Sequence, residues 1–367
     1  MNIKDIAPQA TLAALTGLGD IIAGLILAFY FPSEVSWAAI LYPPIIGVRG
    51  AVTGSLTGRL SSALNVGMVM PRFTKNTERF YEIISSTLMA SLLAALISSA
   101  ITILSASALS VDYDLTAVLS VSLLSVTGTT TLLIPINLLT SFSAFRRGLD
   151  PDVVLYPTMS TLADILVTLT FIGSITYGRT VSPVLAVLVA SIAMGYFLMY
   201  GRGFKDLIEI MTAAVIVLMI EGLAGSLLES MKHDLSPAVL LLYPAMMTEV
   251  GDSISIVGSL ITTRLILGSV GRIPLLDVKD EIFGIFLIFS SFFGFMGLLS
   301  SFFGGNPLYS LFVFFVSFPI TLLFTTAVII GTRGRADPDN FVIPLSSSAA
   351  DLVTTGSIAL AIRIGLI

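Results

Sequence analysis

The sequence of 367 residues contains no cysteine, a single histidine (His233), a single tryptophan (Trp37) and only 11% charged residues. Without cysteine there is no disulfide, no thiolate metal site and no thiol nucleophile, and the redox compartment leaves no mark. So little charge excludes a water-soluble surface. The start, Met1-Asn2-Ile3-Lys4-Asp5, has no basic region followed by a short apolar core and a small-residue cleavage site. No removable signal peptide is expected, and the first helix itself directs insertion. No polar stretch is long enough for a regulatory domain, and no alternating ten-residue pattern suggests a membrane barrel.

What is present is apolar. Hydrophobic residues make up 55% of the chain and the mean hydropathy is +0.99, the composition of an integral membrane protein. Apolar runs of about 20 residues, the length that crosses a core of roughly 30 Å, recur throughout. Spanning segments are expected near residues 9–31, 36–62, 82–107, 115–144, 153–177, 181–200, 207–229, 236–263, 282–303, 308–331 and 341–362. The fold class is an all-α polytopic membrane protein of about eleven transmembrane helices.

The chain repeats itself. Leu41-Tyr42-Pro43 returns as Leu242-Tyr243-Pro244, and the same offset of 201 carries Gly50 onto Gly251 and Asp20 onto Glu221. Asp150-Pro151-Asp152, followed by Tyr156-Pro157 and Ala163-Asp164, returns as Asp337-Pro338-Asp339, Ile343-Pro344 and Ala350-Asp351, at an offset of 187. The expected organisation is a five-helix repeat over 1–180, a linking transmembrane helix over 181–203 and a second five-helix repeat over 204–367. Five crossings would invert the second repeat, and one additional crossing restores its direction. The repeats are then parallel, related by a pseudo-two-fold axis along the membrane normal. Basic residues agree: with a cytoplasmic N-terminus, only Arg179, Lys232 and Arg363 fall in outer loops, and the other basic loop residues face inward. A multi-pass protein of the plasma membrane is expected, with the lipid bilayer as a partner and no nucleic acid.

Setting aside the outermost residues of each span, six acids, Asp20, Asp164, Glu221, Glu249, Asp252 and Asp351, fall inside spans together with only two bases, Arg49 and Arg59. Ionisable groups are costly there and are functional candidates by default. A net negative, water-lined path attracts cations. At about 1.5 Å per residue, Asp164 and Asp351 lie roughly 18 Å beyond Asp152 and Asp339, near mid-membrane. The repeat would bring them face to face. Glu249 and Asp252, three apart, share a helix face, and the first repeat has Val48 and Ala51 in their places. Pro43, Pro44 and Pro244 free backbone carbonyls that protein, water or an ion must satisfy.

Blander readings stand beside these. A buried acid can simply pair with Arg49 or Arg59 as a structural ion pair. The series Gly50, Gly54, Gly58 and its echo Gly251, Ser255, Ser259 read as close helix packing, and Asp150, Asp152, Asp337 and Asp339 as helix N-caps. His233 reads as a solvated loop residue, and Trp37 as part of an interfacial belt. Oxygen ligands without Cys or membrane-embedded His favour magnesium, calcium, manganese or sodium over softer metals. Magnesium, often held through its waters by one or two carboxylates, suits a sparse Asp pair.

Asp337-Pro338-Asp339-Asn340, with Pro344 and then Asp351-Leu352 in a last helix, resembles the MgtE family of magnesium channels and its duplicated relatives, solute carrier family 41. The second helix is similar too, in Pro43, Gly50, Ser55 and Arg59-Leu60-Ser61. The resemblance implies that Asp164 and Asp351 line the pore and bind the hydrated cation, with Asp150 and Asp337 at its cytoplasmic mouth. It also implies that two fused repeats reproduce in one chain a dimer of five-helix units, so that a monomer suffices, and that the family's cytoplasmic sensor domains are absent. The expected function is divalent cation transport, magnesium foremost, through a carboxylate-lined path at the interface of the repeats. The metal-binding candidates are Asp164, Asp351, Asp20, Glu221, Glu249, Asp252, Asp150 and Asp337, and an enzyme is not expected. A sodium-coupled exchanger on the same scaffold, with Na+ as coupling ion, is the alternative. An intramembrane aspartyl protease, prompted by Gly17-Leu18-Gly19-Asp20 and Tyr113-Asp114, is a remote one, since two catalytic Asp must share one depth.

Overall fold

The computed structural model describes residues 3–147, 151–201, 204–266, 274–332 and 338–367. The described residues form helices, turns and loops, with no strand among them. In chain order the helices are α1 (Ile3–Tyr30), α2 (Ala38–Asn65), α3 (Glu78–Ala108), α4 (Leu115–Leu123), α5 (Thr129–Arg146), α6 (Pro151–Thr176), α7 (Gly178–Tyr200), α8 (Phe204–Ser230), α9 (Pro237–Ile266), the short α10 (Pro274–Asp277), α11 (Lys279–Ser301), α12 (Tyr309–Thr332) and α13 (Pro338–Arg363). A π-helical turn, Leu124–Gly128, joins α4 and α5 into one rod.

Among the described residues ten helical segments are long and apolar enough to cross a membrane, and the chain is a polytopic all-α membrane protein. The expected second span is the one outside that set. Helix α2 has 28 residues, but Pro43, Pro44, Arg49 and Arg59 dilute its apolar character. Nineteen of its residues are nonetheless buried, so protein rather than lipid surrounds most of it.

The helices gather into two compact units, which cut across the sequence repeats. One is continuous, Pro32–Glu229; the other is discontinuous, Met1–Phe31 with Ser230–Ile367. Helix α1, first in the first repeat, packs on α9 and α11, whereas α8, first in the second repeat, lies in the continuous unit. Glycines make both seats possible. A Cβ on Gly24 would stand 1.7 Å from the Leu241 carbonyl oxygen, and one on Gly225 would stand 2.1 Å from that of Ile40. Gly24 and Gly225 are related by the repeat offset of 201, and so are Ile40 and Leu241. The Ile40 carbonyl is the one Pro44 leaves without its helical partner, and α8 covers it.

Gly50 and Gly58 do not make the close packing expected of the stripe Gly50, Gly54, Gly58. Among the described residues nothing lies within 4 Å of a Cβ placed at Gly50 or Gly58. In the continuous unit, Leu60, Phe80, Ile83, Leu88, Ile134, Leu138 and Phe142 build an apolar core between α2, α3 and α5. In the discontinuous unit Phe286, Phe293, Phe314 and Phe318 interlock α11 with α12. Trp37 is buried and lines a cavity of about 370 Å³ with Asp114, Ser120 and Ser174.

Candidate ion-handling site

In each unit the second helix of a repeat packs on the fifth: α2 on α6, and α9 on α13. The same bond staples both pairs, from near the start of α2 and of α9. The Tyr42 hydroxyl pairs with Thr168 Oγ1 at 3.0 Å, and the Tyr243 hydroxyl with Thr355 Oγ1 at 3.0 Å. One helical turn before each threonine stands the acid, Asp164 or Asp351, so each carboxylate is held at a fixed height on a helix that its neighbour cannot slide past. Asp164 is fully buried and Asp351 is 8% exposed.

The two acids meet different company. Arg49 Nη2 lies 2.6 Å from Asp164 Oδ1. Its other prong, Nη1, donates to the Ser160 carbonyl at 2.9 Å and to Ser160 Oγ at 3.1 Å. The structural ion pair is thus the arrangement seen for Asp164. At the position corresponding to Arg49, the discontinuous unit has Val250, fully buried.

That unit carries acids of its own on α1 and α9. Asp20 on α1 and Glu249 on α9 are buried, and both Asp20 and Asp252 are near enough to act electrostatically on Glu249. The Glu249 carboxylate lies against the backbone of Gly17, where a Cβ would stand 2.0 Å from Oε1. Gly251 faces Ser347, whose Oγ would be 3.1 Å from a Cβ there. In the continuous unit Glu221 is fully buried and its carboxylate rests on Gly47 in the same manner. Among the described residues no three carboxylate or imidazole groups converge into a cage for a bare metal ion.

The other in-span base is a clamp. Arg59 Nη1 lies 2.5 Å from Asp206 Oδ1 and Nη2 lies 2.8 Å from Glu209. Arg79 takes the second Asp206 oxygen at 2.6 Å, so one acid on α8 ties α2 to α3. Sequence reasoning missed Asp206 because it sits at the helix start, where an acid is ordinary. In the discontinuous unit Arg264 pairs with Glu281 and the Asp277 carbonyl.

Asp150 and Asp337 lie outside the described residues; the helices that follow them begin at Pro151 and Pro338. Asp114 is an N-cap, its Oδ1 accepting from the Thr116 and Ala117 amides at 2.9 and 3.3 Å. That gives the acid of the protease reading an ordinary structural task. His233 is exposed in a short 3-10 turn.

Residues 42–174 match the MgtE family model, described as a divalent cation transporter. The segment runs from Tyr42 through α6 and contains both Arg49 and Asp164. No curated protein and no solved structure matches the chain. The match supports divalent cation transport.

Proposed function

With residues 42–174 an MgtE-type divalent cation transporter domain, we propose that the protein carries magnesium across the plasma membrane, with Asp164 and Asp351 as the carboxylates that handle the ion. One observation carries the reading: two acids at equivalent positions, fully buried and 8% exposed, each sit mid-helix in an apolar span. Desolvating a carboxylate costs several kcal/mol, and a passing cation is a use common to both, with Arg49 already balancing Asp164. Magnesium keeps most of its water and asks for few protein ligands. This accords with the absence of any three-acid cage among the described residues.

Glu249, Asp252 and Asp20 supply a negative field in the discontinuous unit, and Glu221 does so in the other. Asp150 and Asp337 would draw cations at the cytoplasmic ends of α6 and α13, and the N-terminus lies on the cytoplasmic side. One chain with both repeats would function as a monomer.

The experiment is magnesium uptake into vesicles by wild type, Asp351→Asn and Asp164→Asn/Asp351→Asn, each reconstituted at equal amount, with calcium, manganese and sodium as competitors. A unit charge about 4 Å from a carboxylate gains about 4 kcal/mol at an effective dielectric of about 20, so losing Asp351 should cut uptake well over tenfold. Wild-type uptake by the double variant would sink the assignment. Repeating the assay with and without a sodium gradient separates uncoupled flux from exchange.

A further inference from the structure

The pairing of Arg49 with Asp164 bears on how the ion reaches that acid. We propose that Arg49 is a tethered counter-ion that occupies Asp164 and has to leave before a hydrated divalent cation can take its place. This rests on the transport reading above and assigns it a gate.

Four observations converge. First, one prong of the guanidinium lies 2.6 Å from Asp164 while the other is held by Ser160, one turn earlier on the same helix. Arg49 can therefore keep Ser160 and release the acid. Second, the next residue, Gly50, is exposed, and among the described residues a Cβ there would meet nothing within 4 Å. Third, the fold does not demand a base here, since the equivalent position on α9 is the buried Val250. Fourth, stability gives little reason for the pair, because a buried ion pair is often no better than apolar side chains of the same volume.

A positive charge held on Asp164 cancels the field that would draw a cation to it. In this state the continuous unit is loaded with its own side chain. An entering divalent ion competes with one guanidinium, and two charges on the ion against one on Arg49 favour divalent over monovalent cations at that acid. Arg49 thus becomes a selectivity element as well as a gate.

The test compares wild type, Arg49→Gln, Arg49→Lys and Arg49→Gln/Asp164→Asn. It measures magnesium-dependent thermal stabilisation of the purified protein and half-saturation of magnesium uptake. If Asp164 is available to the ion in about a tenth of wild-type molecules, freeing it lowers the half-saturating magnesium about tenfold. Arg49→Gln should show that drop together with a larger stabilisation by magnesium, and removing Asp164 as well should abolish both gains. Arg49→Lys keeps the charge but cannot span Ser160 and Asp164 as a fork, so it should show a smaller gain; it decides the matter if the Gln variant does not fold. Unchanged half-saturation in folded Arg49→Gln, or in Arg49→Lys where that variant alone folds, overturns the gate. A gain that survives loss of Asp164 overturns it as well. If wild type neither takes up magnesium nor is stabilised by it, the transport reading itself falls.

Discussion

The continuous and discontinuous units hold the same helix pair, stapled by the same tyrosine–threonine bond, with different charges on the second helix. Beside Asp164 stands Arg49 at 2.6 Å; the place of Arg49 is taken on α9 by Val250, flanked by Glu249 and Gly251 and close to Asp252. What differs is the charge set on a common frame. Backbone geometry can be duplicated while the charges on it are changed: one unit pairs its α6 acid with Arg49, and the other carries Glu249 and Asp252 on the helix packed against α13.

The comparison can be broken at the ion pair first. Asp164→Asn leaves the Arg49 guanidinium buried against an amide, and removing one partner of a buried pair costs about 3–5 kcal/mol. Thermal unfolding should drop accordingly, and Arg49→Gln/Asp164→Asn should recover most of it. Full stability of the single variant would mean that the pair carries no energetic coupling. Next come the helix seats. Gly24→Ala and Gly225→Ala each drive a methyl into a carbonyl oxygen; overpacking of this kind costs about 1–3 kcal/mol, and two equal losses would show that both units depend alike on the seated helix. Tyr42→Phe and Tyr243→Phe each remove one buried hydrogen bond and should cost about 1 kcal/mol apiece. Unequal values would locate a mechanical difference between the units that the shared geometry does not suggest. Smallest of all is Gly50→Ala, expected within about 0.5 kcal/mol because the added methyl meets open space, whereas Gly251→Ala has to displace the Ser347 hydroxyl.

Much of this was legible in the sequence because lipid imposes a coarse code. Every expected span corresponds to a helix or a helical rod, with ends displaced by a few residues. Even α2, diluted by two prolines and two arginines, was readable from its length and its flanking loops. Partner choice was not legible. In a membrane the helix faces that pack differ little in polarity from those that meet lipid, so a regular small-residue stripe such as Gly50, Gly54, Gly58 attracts attention that single glycines do not. The single glycines Gly24 and Gly225 carry the close approaches, and with them the exchange of α1 and α8 between units. Arg49 was legible as a base that could pair with some buried acid. That the acid is Asp164, 115 positions away in the chain, depends on α2 lying against α6, which no local spacing encodes. Asp20, Glu249 and Asp252 were readable as acids in spans, and the nearness of the first two follows only from α1 seating on α9.

That exchange has a consequence for how the protein is made. Helix α1 enters the membrane long before α9, its seat, has been synthesised, and α2 must wait for α8 to cover the carbonyl that Pro44 exposes. Neither sequence half holds all the helices of a compact unit, so a half-length chain would have to borrow its first helix from a second copy. Cutting the chain between α7 and α8 and expressing the pieces tests this directly: each piece alone should be degraded, and the two together should copurify.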